Sequence, residues 1–177
     1  RLYPNGSTPS SNPFFRDSEA LKEIYSYGHR NPQGLFYHAG TLWEVEFGPR
    51  GGDEINIIYK KKNYGWPLIT YGREYWGPKI GPTKGAGMLQ PIHYYTPSIS
   101  PSGMMVYTGE RFKTWQGDLF LACLSGMQLR RVKVKNKKVI EEEVLLKDKN
   151  FRVRQVKNGP QGAIYFSTDG RGLYKYF

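Results

Sequence analysis

From Gly28 onward the chain sets hydrophobic against polar residues over short stretches, each broken by glycine, asparagine or proline. That alternation has the two-residue period of a half-buried β-strand. It is clearest in Arg130-Arg131-Val132-Lys133-Val134-Lys135 followed by Lys138-Val139-Ile140, with Asn136-Lys137 as the turn of a half-exposed hairpin. A helix-like pattern is confined to residues 18–27 (SEALKEIYSY), where a serine and acidic start predicts one or two helical turns. Residues 1–17 are rich in proline, serine and asparagine and have no period, so they predict an extended connection into one domain whose blades occupy 18–177.

Three segments align on a Gln-Gly pair: Pro32-Gln33-Gly34-Leu35, Trp115-Gln116-Gly117-Asp118 and Pro160-Gln161-Gly162-Ala163. Each reads as a turn, a strand, a second turn and another strand. Their spacing is uneven, and the larger gap has room for a blade without the signature. An all-β fold of the β-propeller type with three to four blades is the expectation, and a β-sandwich is its rival.

Composition supports strands over helices, since 21 Gly, 12 Pro and 14 Tyr among 177 residues favour short strands and tight turns. With 38% hydrophobic residues the chain can bury a domain-sized core. No stretch approaches the ~18–20 apolar residues of a membrane span, and the N-terminus lacks the basic-then-apolar pattern of a signal peptide. Cys123, the single cysteine, lies in the apolar run LFLACL and reads as a buried, inert thiol.

The net charge of +11 raises nucleic acid as a partner, because clustered Lys and Arg attract phosphate. The clusters at Lys60-Lys61-Lys62, 130–138 and 147–157 sit at turns or alternate with apolar residues, and no nucleic-acid motif accompanies them. Solvated outer faces are the favoured reading.

The blocks GHRNPQG from Gly28, FGPRGGDEINII from Phe47 and NYGWP from Asn63 bring candidate chemistry together. Later come SPSGMMVYTG from Ser100, W-x-G-D-L-F from Trp115 and RVRQVKNGPQGAIYFSTD from Arg152. In this order and spacing the sequence resembles the soluble pyrroloquinoline-quinone (PQQ) sugar dehydrogenases, the glucose/sorbosone dehydrogenase family, over nearly the whole chain from about residue 13. The resemblance implies the C-terminal blades of a six-bladed propeller. It also implies a PQQ- and calcium-dependent oxidation of an aldose at C1 to the lactone, an external electron acceptor, and a periplasmic or secreted location. A non-catalytic propeller serving as a binding module is the alternative.

The resemblance assigns Arg30 and Asn31 to the quinone, with Gln33 beside them. A guanidinium can fork onto a carboxylate or stabilise charge on a quinone oxygen. A turn whose Arg and Asn serve the local backbone is the bland alternative. Tyr75 stands where relatives place a tyrosine against the cofactor, Ser125 where many carry a lysine, and Arg152 and Arg154 where two arginines reach the quinone. Arg152 and Arg154 alternate in a strand, so both project to one face; exposed strand arginines would do the same. Carbonyls at Gly48 and Pro49 correspond to the family's ligands for the quinone-bound calcium. The Glu54 carboxylate, the Tyr64 carbonyl and Glu74 match a second calcium site. Asp53 reads as a turn-capping or supporting carboxylate, and an acidic turn start is the alternative for the Asp53-Glu54 pair.

The catalytic histidine of the family lies upstream of any residue here, so none of His29, His38 and His93 inherits that role. The fragment alone is expected to be inactive, with the upstream half of the propeller as its natural partner. Phe47, Ser125 and Gln155 depart from the family pattern, and each departure removes a polar contact.

Overall fold

The computed structural model describes residues 1–170 and 172–176. Alternation and turns give three antiparallel sheets. The first contains β1 (Pro32–His38), β2 (Thr41–Glu46), β3 (Asp53–Ile57) and β4 (His93–Tyr95). The second contains β5 (Pro101–Val106), β6 (Leu119–Cys123), β7 (Gln128–Lys135) and β8 (Lys138–Leu145). The third contains β9 (Val153–Asn158), β10 (Ile164–Thr168) and β11 (Gly172–Tyr176). Within each sheet every strand pairs with its neighbour in sequence, which is the meander of a propeller blade.

The first strands β1, β5 and β9 lie side by side across the three sheets. Ser102 Oγ donates to the Val153 carbonyl and Asn158 Nδ2 to that of Val106, so β5 and β9 run in the same direction. One apolar cluster fills the space between the first two blades, with Val45, Ile55, Met104, Leu119 and Leu121 at its centre. A second, containing Met105, Phe120, Leu129, Val156 and Ile164, joins the second blade to the third. The middle blade is therefore covered on both faces, which explains why LFLAC in β6 is apolar without alternation.

Three sequence expectations change. Residues 18–27 form no helix; Tyr27 N donates to the Lys62 carbonyl and Lys61 N to that of Tyr25, so backbone pairing with a distant loop replaces the helical bonds. Ten residues gain too few internal bonds to outweigh that pairing. The three Gln-Gly pairs are also not equivalent. Gln116-Gly117 and Gln161-Gly162 precede the second strand of their blades, whereas Gln33-Gly34 lies in a bulge of the first strand, β1.

The true counterpart of Pro32-Gln33-Gly34 is Pro101-Ser102-Gly103, which opens β5 with the same register shift. A Cβ on Gly34 would lie 2.9 Å from Met104 N, and one on Gly103 2.5 Å from Gln155 Oε1, so each glycine permits close approach of the next inner strand. No additional blade fills the gap between the first two pairs. It holds β2 to β4 and the loop 58–92, leaving three sheets among the described residues.

The third change concerns the basic hairpin. Asn136 and Lys137 form the expected turn, both with positive φ, and Lys135 and Lys138 are exposed. Arg131, however, is buried, bonded to Asp118 at 2.6 Å and to Glu141 and Glu143 on β8. The acidic run 141–143 opposite β7 neutralises bases that the local pattern assigned to solvent.

Candidate active site

The site begins at the turn entering β1. Gly28 has φ +78°, and any Cβ there would strike Asn63 and Gly65, so the turn packs against the 63–67 loop. The Glu46 carboxylate then accepts from the backbone N–H groups of Arg30 (2.7 Å) and Asn31 (3.1 Å), fixing both residues. The Arg30 guanidinium donates to the Phe47 carbonyl at 3.1 Å, lies 5.4 Å from the Trp66 ring centre, and reaches the Tyr75 hydroxyl at 3.4 Å. Cation–π contact and hydrogen bonding hold one orientation.

Opposite it, Asp53 gathers the next blade. Its Oδ1 accepts from Gly48 N at 3.0 Å, and its Oδ2 from Ser98 Oγ, Ile99 N and Ser100 N at 2.7–2.8 Å. Ser100 Oγ meets Ser125 Oγ at 2.7 Å. An open cavity of about 510 Å³ results, lined by Arg30, Asn31, Arg50 and Tyr75 together with Gly48 and the three serines. Arg50, Ser98 and Ser100 were not singled out in the sequence, although Arg50 stands inside FGPRGG and the serines inside PSISPSG.

Beneath it a second cavity of about 10 Å³, the size of one water or ion, is lined by Glu54, Tyr64, Glu46, Gly48 and Thr70 among others. Burial pushes the Glu54 carboxyl up to about 7, with Asn56 opposing and the charges of Glu46 and Asp53 adding to the rise. A carboxylate so placed favours a cation beside it.

The other expected residues fall elsewhere. Gln33 donates to Asn31 Oδ1 at 2.7 Å without lining the cavity. Pro49 is buried and its carbonyl accepts from Arg73 N. Glu74 lines neither cavity; its carbonyl accepts from Gly77 N. Arg152 and Arg154 share one face at the start of β9, both bonded to Asp169, whose carboxyl Arg154 holds below the usual range. His29 stacks on Tyr64, His38 ends β1 at the opposite end from Arg30, and His93 pairs with Glu142. Among the described residues no histidine lines the open cavity. Cys123 is fully buried, and burial pushes its thiol up to about 12.

The profile of the glucose/sorbosone dehydrogenase family matches residues 1–175. The chain belongs to that family. This glucose/sorbosone dehydrogenase chain is 45% identical over 174 residues to an aldose sugar dehydrogenase of Escherichia coli, covering 96% of the chain and 47% of the relative. It overlays a glucose dehydrogenase crystal structure with a TM-score of 0.94 at 44% identity, covering 99% of the chain and 52% of that protein. The PQQ-bound aldose sugar dehydrogenase of Streptomyces coelicolor is 28% identical with a TM-score of 0.74, over 99% and 50%. The family chain thus spans about half the length of these relatives. Its fold is the propeller of the quinoprotein sugar dehydrogenases, and its relatives are oxidoreductases acting on aldoses.

Proposed function

We propose that the chain forms part of a PQQ- and calcium-dependent dehydrogenase that oxidises aldoses at C1 to lactones and passes the electrons to an external acceptor, in a periplasmic or secreted setting. The observation that carries this is the open cavity where two guanidinium-bearing residues, Arg30 and Arg50, meet the amide of Asn31 and the hydroxyls of Ser98, Ser100 and Ser125. Such a donor set fits an o-quinone bearing several carboxylates. The small cavity at Glu54 fits a hard cation with oxygen ligands, with Glu54 and Tyr64 as its holders. When bound, the quinone supplies a two-electron hydride acceptor and calcium a fixed positive charge.

The residues present bind and orient. Arg30 is held by Phe47, Trp66 and Tyr75 before any ligand arrives, so its charge is already aimed. Arg50 donates to the Tyr75 carbonyl at 2.8 Å, which ties the 71–79 loop to the cavity rim. Oxidation at C1 removes a hydride from carbon and a proton from its hydroxyl, and the proton requires a base. Among the described residues no histidine lines the cavity, and we assign the base to the part of the propeller that the chain does not cover.

The test is to titrate PQQ into the purified protein with calcium and follow its absorbance, then to record dye reduction with several aldoses. Arg30→Ala and Arg50→Ala should each weaken quinone binding by about tenfold or more. Affinity in both variants equal to that of the unaltered protein, or no quinone binding with calcium present, would sink the assignment.

A further inference from the structure

We propose that His29, Glu44 and Glu46 form a binding site for a divalent transition-metal cation of the zinc class, adjoining the calcium position proposed at Glu54 and Tyr64, whose cavity Glu46 also lines. One ligand atom from each of the three lies within 4.8 Å of the others. His29 Nδ1 stands 3.5 Å from Glu46 Oε1, with no hydrogen bond between them. That separation is near the ~3.4 Å expected between two ligands of a tetrahedral ion bound at ~2.0–2.1 Å.

Two further observations favour a cation at these ligands. The other ring nitrogen of His29, Nε2, meets Ser26 Oγ at 2.9 Å. A proton placed there leaves Nδ1 with a lone pair and no donor, which is how an outer hydrogen bond orients a metal-binding imidazole. Asn56 is fully buried, and its Nδ2 is already divided among Glu44, Glu46 and Glu54 while its own Oδ1 has no partner. One neutral amide cannot balance three carboxylates.

Glu44 itself is 1% exposed, and its Oε1 accepts no hydrogen bond. A buried carboxylate oxygen without a partner is a costly arrangement that a cation relieves. The strand register forces this crowding, because Glu46 lies directly opposite Glu54, and Glu44 opposite Asn56, on the same face of β2 and β3.

The donor set separates this site chemically from the calcium position. Calcium takes oxygen ligands, whereas one imidazole with two carboxylates suits zinc and its neighbours. A cavity of about 620 Å³, lined by His29 and Glu44 with Tyr25, Ser26 and Leu42, gives an ion a way in.

Zinc alone is the probe, titrated calorimetrically into the purified protein held in excess calcium, with anomalous diffraction at the zinc edge on crystals of the unaltered protein. The expected result is one zinc per chain, with its peak between His29, Glu44 and Glu46. Glu44→Gln should weaken zinc about tenfold or more, and Glu110→Gln, at an exposed carboxyl that lines none of these cavities, should leave zinc affinity within about threefold. No zinc uptake, a peak at Glu54 and Tyr64, or unchanged affinity in Glu44→Gln overturns the proposal. Should Glu44→Gln fail to fold, the position of the peak in the unaltered protein decides it.

Discussion

Asp53 has no exposed surface, and its two carboxylate oxygens collect three backbone N–H groups and one hydroxyl from both sides of the first blade's edge. Each N–H left without a partner in a buried setting costs about 1–3 kcal/mol. Asp53→Ala should therefore lower unfolding stability by about 3 kcal/mol or more, read from urea midpoints, and should disturb the cavity that Ser98 and Ser100 line. A loss below ~1 kcal/mol would show that water replaces the carboxylate. Its neighbour Glu54 carries the calcium proposal. Calcium should raise the melting temperature of the unaltered protein, and Glu54→Gln should abolish the rise, because the isosteric amide keeps the shape and removes the charge. An equal rise in both proteins would move the ion elsewhere.

Between elements, the inner strands depend on glycine. A methyl on Gly34 would meet the Met104 backbone nitrogen at 2.9 Å, and backbone does not yield as a flexible side chain would. Gly34→Ala should cost about 1–3 kcal/mol and separate the first two blades, whereas Gly40→Ala, with nothing within 4 Å but φ +78°, should act through turn strain alone. The first two blades are also joined by charge. Glu142 on β8 bonds His93 on β4 at 2.8 Å, meets Arg130 on β7, and accepts from the Tyr95 hydroxyl at 3.4 Å. Burial raises the Glu142 carboxyl, but His93 and Arg130 together outweigh it and hold it below the usual range. A depressed carboxyl contributes stability that is present above its ordinary pKa and lost as pH falls through the folded value. The urea midpoint should thus drop as pH falls below ~4.3. Glu142→Gln should flatten that acid limb, and identical pH profiles would show that the link carries no stability.

For the whole molecule, the chain alone, supplied with PQQ and calcium, should not oxidise aldoses. The proton of the C1 hydroxyl needs a base, which contributes about 10²–10⁴-fold, and no histidine among the described residues lines the cavity. Exposed apolar residues lie on β1, where Leu35 and Tyr37 are 59% and 70% exposed, and on β11, where Leu173 is 71% exposed. Further blades stacked on those faces would cover them and close water out of the cavity. Co-expression with the half of a relative's propeller that the chain does not cover should restore dye reduction. Reduction by the chain alone at the rate of an intact relative would place the base within it.

The sequence by itself determined the basic hairpin, because a two-residue alternation broken by turn residues has one economical solution, and β7, the Asn136-Lys137 turn and β8 fall where it puts them. It also carried the family, because motif blocks keep their order whatever the packing. It could not determine which charges are solvated, since the partners of Arg131 are Asp118, just before β6, and Glu141 and Glu143 on β8, and burial depends on both. Nor could it exclude the helix at 18–27, where Tyr25 and Tyr27 bond through their backbones to residues some 35 positions away. The cavity itself was only partly legible: Arg30 and Asn31 announce themselves in a motif, but Ser98 and Ser100 belong to it because Asp53 reaches across to the next blade. Tertiary structure alone decided that, since a buried carboxylate must find its hydrogen-bond donors wherever the fold brings them.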